Sequence, residues 1–90
     1  MPRPVRTILV SSLYSRLYRK QTAEIRKKIA EREPIFKADV YDPRLNTHKL
    51  HGRLRHLWSY SIDLRHRIVF KFIGPASVLY IEVGDHAVYR

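Results

Sequence analysis

The sequence predicts an α+β domain in the order β-α-α-β-β-β, with two helices packed on one face of a small antiparallel sheet. Three observations carry this. A β-branched run opens the chain, apolar residues then recur at three- and four-residue spacing, and from Leu54 onward the period changes to two. No repeat, low-complexity tract or Gly/Ser linker divides the 90 residues, so residues 1–90 are read as one domain. A chain of this length buries about 60–65% of its unfolded surface, enough for one modest core and not two.

The first strand is Val5 to Val10, Val-Arg-Thr-Ile-Leu-Val, rich in residues that suit a pleated surface. Ser11 and Ser12 then offer an N-cap, and Leu13 and Leu17, with Tyr14 and Tyr18, mark a short amphipathic helix ending near Lys20-Gln21. Thr22 restarts a helix that sets Ile25, Ile29 and Ala30 on one face and Arg26, Lys27, Lys28, Glu31 and Arg32 on the other. Arg26, Lys27 and Lys28 are balanced locally by Glu24, Glu31 and Glu33 and read as an ordinary helix surface. Pro34, which lacks an amide hydrogen, is expected to kink or end this helix, with up to two further turns through Val40, and Asp42-Pro43 closes the helical half. Leu54 to Ile62 then forms a strand with Trp58, Tyr60 and Ile62 on one face. Asp63-Leu64-Arg65 is a tight connection, His66 to Ile73 is the next strand, Gly74-Pro75 a turn, and Ser77 to Val83 the last strand. Strands joined by such short loops must be antiparallel neighbours. The opposite sheet face, with Ser59, Ser61, Arg67 and Lys71, is left to solvent or a ligand.

Composition limits the function classes. With 18 Lys plus Arg against 8 Asp plus Glu, the formal net charge is +10, which calls for an anionic partner. There is no cysteine, so a disulfide framework, a thiolate metal site and a cysteine nucleophile are all excluded. The Met-Pro-Arg-Pro start lacks a signal-peptide core, and no apolar run approaches the roughly 18 residues that span a bilayer, so the expectation is a cytoplasmic protein with no membrane partner.

The charge is unevenly placed. Between Arg44 and Lys71 stand seven Lys or Arg residues against the single Asp63, together with four of the five histidines, His48, His51, His56 and His66. Cations for phosphates and flat rings such as Trp58 and Tyr60 for unstacked bases suit an RNA-contacting surface; a positive solvated face over an aromatic core has the same composition. Lys49, Arg53, Arg55, Arg65, His66 and Lys71 are the candidates for RNA contact. His48 and His51, with His56 or Asp63, could approach a zinc ion, but the spacing falls on a loop and nothing completes the set, so no cofactor is expected. RNA carries its own nucleophile, the 2′-hydroxyl. Cutting it requires a base for that proton, a cation for the charge growing on the phosphate and an acid for the departing 5′ oxygen. Histidine serves either proton-transfer role, and arginine can bond two phosphate oxygens at once. His48 before the sheet, Arg67 inside a strand and His86 after the last strand are the residues that could supply them.

Four stretches carry a further signal: Thr47-His48-Lys49-Leu50-His51-Gly52, Leu57-Trp58-Ser59-Tyr60-Ser61-Ile62-Asp63, His66-Arg67-Ile68-Val69-Phe70-Lys71-Phe72, and Ile81-Glu82-Val83-Gly84-Asp85-His86-Ala87-Val88-Tyr89. Together they resemble the RelE/ParE toxin superfamily of type II toxin-antitoxin systems, in particular its YoeB and YafQ branches. The resemblance spans nearly the whole chain. It implies the microbial RNase-like fold and a ribosome-dependent mRNA endonuclease (an mRNA interferase) that inhibits translation without a metal cofactor. It also implies neutralisation by a cognate acidic antitoxin. Position by position, His48 matches the catalytic His of the YafQ pattern, where the YoeB pattern has Glu; Arg67 matches the catalytic Arg of the His-Arg-Leu-Val-Tyr strand, and His86 the C-terminal catalytic His. The implied roles are His48 as general base, Arg67 as phosphate clamp and His86 as general acid, with the two histidine roles open to exchange. Ser61 replaces a second YafQ histidine and Arg65-His66 an Asp-Trp pair, which leaves the smaller YoeB-like set. Two alternatives use the same fold: a ParE-like toxin that blocks DNA gyrase without cutting RNA, and an inactive nucleic-acid-binding module.

Overall fold

The computed structural model describes residues 1–85, and within them every expected element is found, together with one short extra strand. The first strand, β1, is Thr7–Val10. Ser11 ends it and caps the first helix, α1 (Ser12–Lys20): its hydroxyl oxygen accepts from the Tyr14 N–H at 2.9 Å and the hydroxyl donates to the Ile81 carbonyl at 2.8 Å. Thr22 caps the second helix, α2 (Ala23–Ala38), by accepting from the Ile25 N–H. Helix α2 does not stop at Pro34. It runs four residues beyond, because burying Ile25, Ile29 and Phe36 along one face outweighs one missing helical hydrogen bond. Asp39 closes α2 and accepts N–H bonds from Arg3 and Tyr41, which straps the N-terminal segment to the helix end.

After a 3-10 turn at Pro43–Leu45 come β2 (His48–Lys49) and a second 3-10 turn at Gly52–Leu54. The meander follows as β3 (Trp58–Ser61), β4 (His66–Gly74) and β5 (Ser77–Asp85). The strand expected from Leu54 is thus shorter, its first residues being taken by the 3-10 turn. The five strands lie in the order β1-β5-β4-β3-β2. The meander is antiparallel as expected, but the sheet as a whole is mixed: β1 runs parallel to β5, from Thr7 opposite Ser77 to Val10 opposite Tyr80. Short loops dictate the direction of β3, β4 and β5, whereas β1 reaches β5 through both helices and three strands and is free of that constraint.

Both helices cover one sheet face, where Phe36 is fully buried with Tyr60, Phe70 and Tyr80. The phenol oxygens of Tyr60 and Tyr80 are 2.8 Å apart, so each buried hydroxyl has a partner, and burial raises both pKa values above the ordinary tyrosine range. The other face carries the candidate chemistry.

Candidate active site

Residues paired directly across antiparallel strands share a sheet face, so the register lays out that other face in rows. His48 pairs with Ser59, Ser59 with Val69, and Val69 with Glu82. In the next row Ser61 pairs with Arg67 and Arg67 with Gly84. Ser59 and Ser61 are two residues apart on β3, so His48 and Arg67 stand on one face about 7 Å apart along the strand direction. Ser59 and Val69 are buried even on this face. Glu82, half-buried, has its carboxyl pKa raised by that burial.

The orientation of His48 follows from its contacts. Nδ1 lies 3.0 Å from the Asn46 carbonyl oxygen, which can only accept, so Nδ1 carries the proton. Nε2 is then the basic nitrogen, and it faces the Ser59 hydroxyl at 3.4 Å. Asn46 reaches this position with a left-handed backbone (φ 49°), which asparagine adopts more readily than other side chains that carry a Cβ.

Beside Arg67 opens a cleft of about 600 Å³ lined by Arg32, Arg44, Asn46, Ser61, Asp63, Leu64 and Arg67. Arg32 comes from α2, where the charge pattern suggested a plain helix surface. Its Nη1 donates to the Arg44 carbonyl at 2.8 Å. Arg44 in turn forks onto Asp42, Nε to Oδ1 at 2.9 Å and Nη2 to Oδ2 at 2.8 Å, and this hydrogen-bonded cation lowers the Asp42 pKa to about 2.

No protein-family model matches the chain, and no curated protein does. Solved structures do. A YoeB/ParE toxin from Agrobacterium tumefaciens superposes with a TM-score of 0.74 at 18% identity, over 90% of this chain and 99% of that one. The RelBE2 toxin-antitoxin complex of Mycobacterium tuberculosis gives 0.76 at 15%, over 93% and 94%. YafQ from E. coli gives 0.67 at 14%, over 92% and 96%. The chain has the RelE/ParE toxin fold. The match takes in the helical half and the meander alike, so the α+β architecture and the resemblance carried by four sequence stretches agree along almost the whole chain.

On this RelE/ParE fold the other candidates scatter. Lys71 shares the face of Arg67 and Val69 and is exposed. Lys49 is opposite Trp58 and so belongs to the helix-side face, while Arg53 and Arg55 are exposed at the second 3-10 turn. Arg65 is exposed in the β3–β4 turn. His86 lies outside the described residues. Among the described residues no three His, Cys, Asp or Glu side chains come together as a metal site, and no helix is long and apolar enough to cross a membrane.

His66 is engaged elsewhere. Asp63 Oδ1 accepts from the N–H of Arg65 at 2.9 Å, from the N–H of His66 at 2.8 Å and from His66 Nδ1 at 3.0 Å, while Oδ2 meets Lys28 Nζ at 3.2 Å. Burial works against the charged carboxyl, but these donors outweigh it and hold the Asp63 pKa well below the usual range. A carboxyl depressed in the folded state contributes stability above its unfolded pKa and loses it as pH falls. Asp63→Asn is therefore expected to cost about 1–2 kcal/mol at neutral pH. It is also expected to flatten the acid-induced loss of stability that begins near pH 5 and steepens below about pH 4, read by urea unfolding at a series of pH values.

Proposed function

We propose that this chain is the toxin of a toxin-antitoxin pair, a metal-independent endoribonuclease that cuts mRNA in the ribosomal A site and is neutralised by an acidic antitoxin. One observation carries the reading: His48 and Arg67 share a sheet face beside a cleft walled by three arginines. In the reaction the 2′-hydroxyl gives its proton to His48 Nε2 and its oxygen attacks the adjacent phosphorus. The bond from phosphorus to O5′ breaks, and Arg67 balances the charge gathering on the phosphate oxygens. The departing O5′ takes a proton from an acid, the role the resemblance gives to His86. A 2′,3′-cyclic phosphate and a 5′-hydroxyl are left.

The antitoxin follows from charge and from the neighbours. A +10 domain attracts an acidic segment quickly and in a salt-sensitive way. The RelBE2 structure is a toxin-antitoxin complex, and YafQ has been solved together with DinJ.

The test is primer extension on mRNA from cells expressing the chain alone. Wild type is expected to give discrete cuts, and Arg67→Ala to lower the cutting rate about a hundredfold. Inhibition of gyrase supercoiling with mRNA left intact would overturn the nuclease reading in favour of a ParE-like toxin. Salt-dependent RNA binding without turnover would reduce the chain to a binding module.

A further inference from the structure

The arginine cleft holds more cationic wall than one scissile phosphate uses. Arg32, Arg44 and Arg67 reach it from three separate elements, α2, the first 3-10 turn and β4. Arg32 and Arg44 are held in place before any ligand arrives: Arg32 spans from the helix to the Arg44 carbonyl, and Arg44 is forked onto Asp42. Of the five N–H donors on each guanidinium, these bonds occupy one on Arg32 and two on Arg44. The remainder can meet a ligand without first losing the rotamer freedom of a loose side chain. Among the described residues Asp63 is the one carboxylate lining the cleft, and its oxygens are already met by Lys28, Arg65 and His66. Asp42 offsets the charge of Arg44, so Arg44 contributes oriented donors to the wall and Arg32 the charge. Ser61 and Asn46 add neutral donors, and Leu64, 96% exposed, offers an apolar edge at the mouth. Asn46 also links the cleft to the site, since its carbonyl orients His48.

We propose that Arg32 and Arg44 form a second phosphate subsite, which holds the phosphate one nucleotide from the scissile one in a bound single-stranded RNA. This rests on the reading of Arg67 as the group at the scissile phosphate. The subsite fixes the direction of the strand across the sheet, and it makes the substrate an extended strand rather than a single dinucleotide.

The experiment measures binding of a 2′-O-methyl RNA oligomer, in which the nucleophile is blocked, to the full chain across a range of salt. Arg32→Gln is expected to weaken binding about tenfold at low salt. It should also make the slope of log K against log[salt] shallower by about 0.7, the loss of one single-strand phosphate contact. Arg32→Lys restores the charge, and with it the slope, but not the full affinity. A neutral methylphosphonate moved along the oligomer should abolish the effect of Arg32→Gln at one position only. Thermal unfolding of both variants checks that the fold is kept, and the methylphosphonate scan on wild type tests the subsite without any substitution: it should show two sensitive phosphates, one nucleotide apart. The proposal is overturned if the slope is unchanged in Arg32→Gln, or if the scan finds one sensitive phosphate. Normal cutting of mRNA with an unchanged slope removes the subsite and leaves the nuclease standing. A changed slope without any cutting removes the nuclease and leaves Arg32 and Arg44 as phosphate ligands of a bound strand.

Discussion

Phe36→Ala is expected to lower the free energy of unfolding by about 3–5 kcal/mol, the cost of emptying a large buried aromatic site. Phe36 is 0% exposed and sits where both layers of the domain meet. Its ring stacks on Tyr60 at 4.5 Å between centroids, takes Phe70 edge-on at 5.0 Å and lies 5.8 Å from Tyr80. Three strands thus lose their common contact with α2 at once. A domain of this length has a total stability of about 5–13 kcal/mol, so this single change removes roughly a quarter of it or more. Phe36→Leu, which keeps most of the volume, should cost less than half as much. Chemical denaturation of the three proteins measures the series. The effect is on stability alone: Phe36 lies on the opposite side of the sheet from His48 and Arg67, so below its own melting temperature Phe36→Ala should still cut RNA. Equal midpoints for wild type and Phe36→Ala would show that α2 is not anchored at this residue.

The helix starts were legible because Ser11 and Thr22 are local devices: a hydroxyl bonds an N–H three residues on, and both partners sit in one short stretch of sequence. The strands of the meander were legible from their alternation. Features that depend on distant parts of the chain were not. Nothing in Thr7–Val10 specifies that it pairs in parallel with Ser77–Tyr80, some 70 residues away. The two residues of β2 are too few to show a period, yet their pairing with β3 is what brings His48 to the sheet. Alternation assigned Ser59 to the solvent face, where it is in fact buried against the His48 ring. The candidate site was half legible. His48 and Arg67 were found as residue types that suit the chemistry, whereas Arg32 was hidden among the charges of α2 and Glu82 inside an apolar strand. Neither shows its neighbourhood until the register is known.

His48→Ala is expected to lower the rate of mRNA cutting by about 10²–10⁴-fold, the usual contribution of a positioned proton acceptor. The ring is already oriented to accept a proton, because the Asn46 carbonyl holds the existing one on Nδ1 and Nε2 offers a lone pair on the face it shares with Arg67. The loss should appear in the chemical step and not in binding. His48→Ala should therefore bind the 2′-O-methyl oligomer as wild type does, with the same salt slope, while single-turnover cutting of the matching RNA slows. Arg67→Ala separates from it by weakening both. His48→Gln retains hydrogen-bonding capacity but cannot take up a proton, so it should be nearly as slow as alanine. His48→Glu supplies a carboxylate at the position where the YoeB pattern has one, and should recover part of the rate. Ser59→Ala, which removes only the hydroxyl facing Nε2, should cost less than tenfold, since the Asn46 contact alone sets the proton on Nδ1. If His48→Ala cuts at the wild-type rate while Arg67→Ala is slow, the base is another group on this face. Glu82 is then the next candidate, because it lies in the same row as His48 and burial has already raised its pKa.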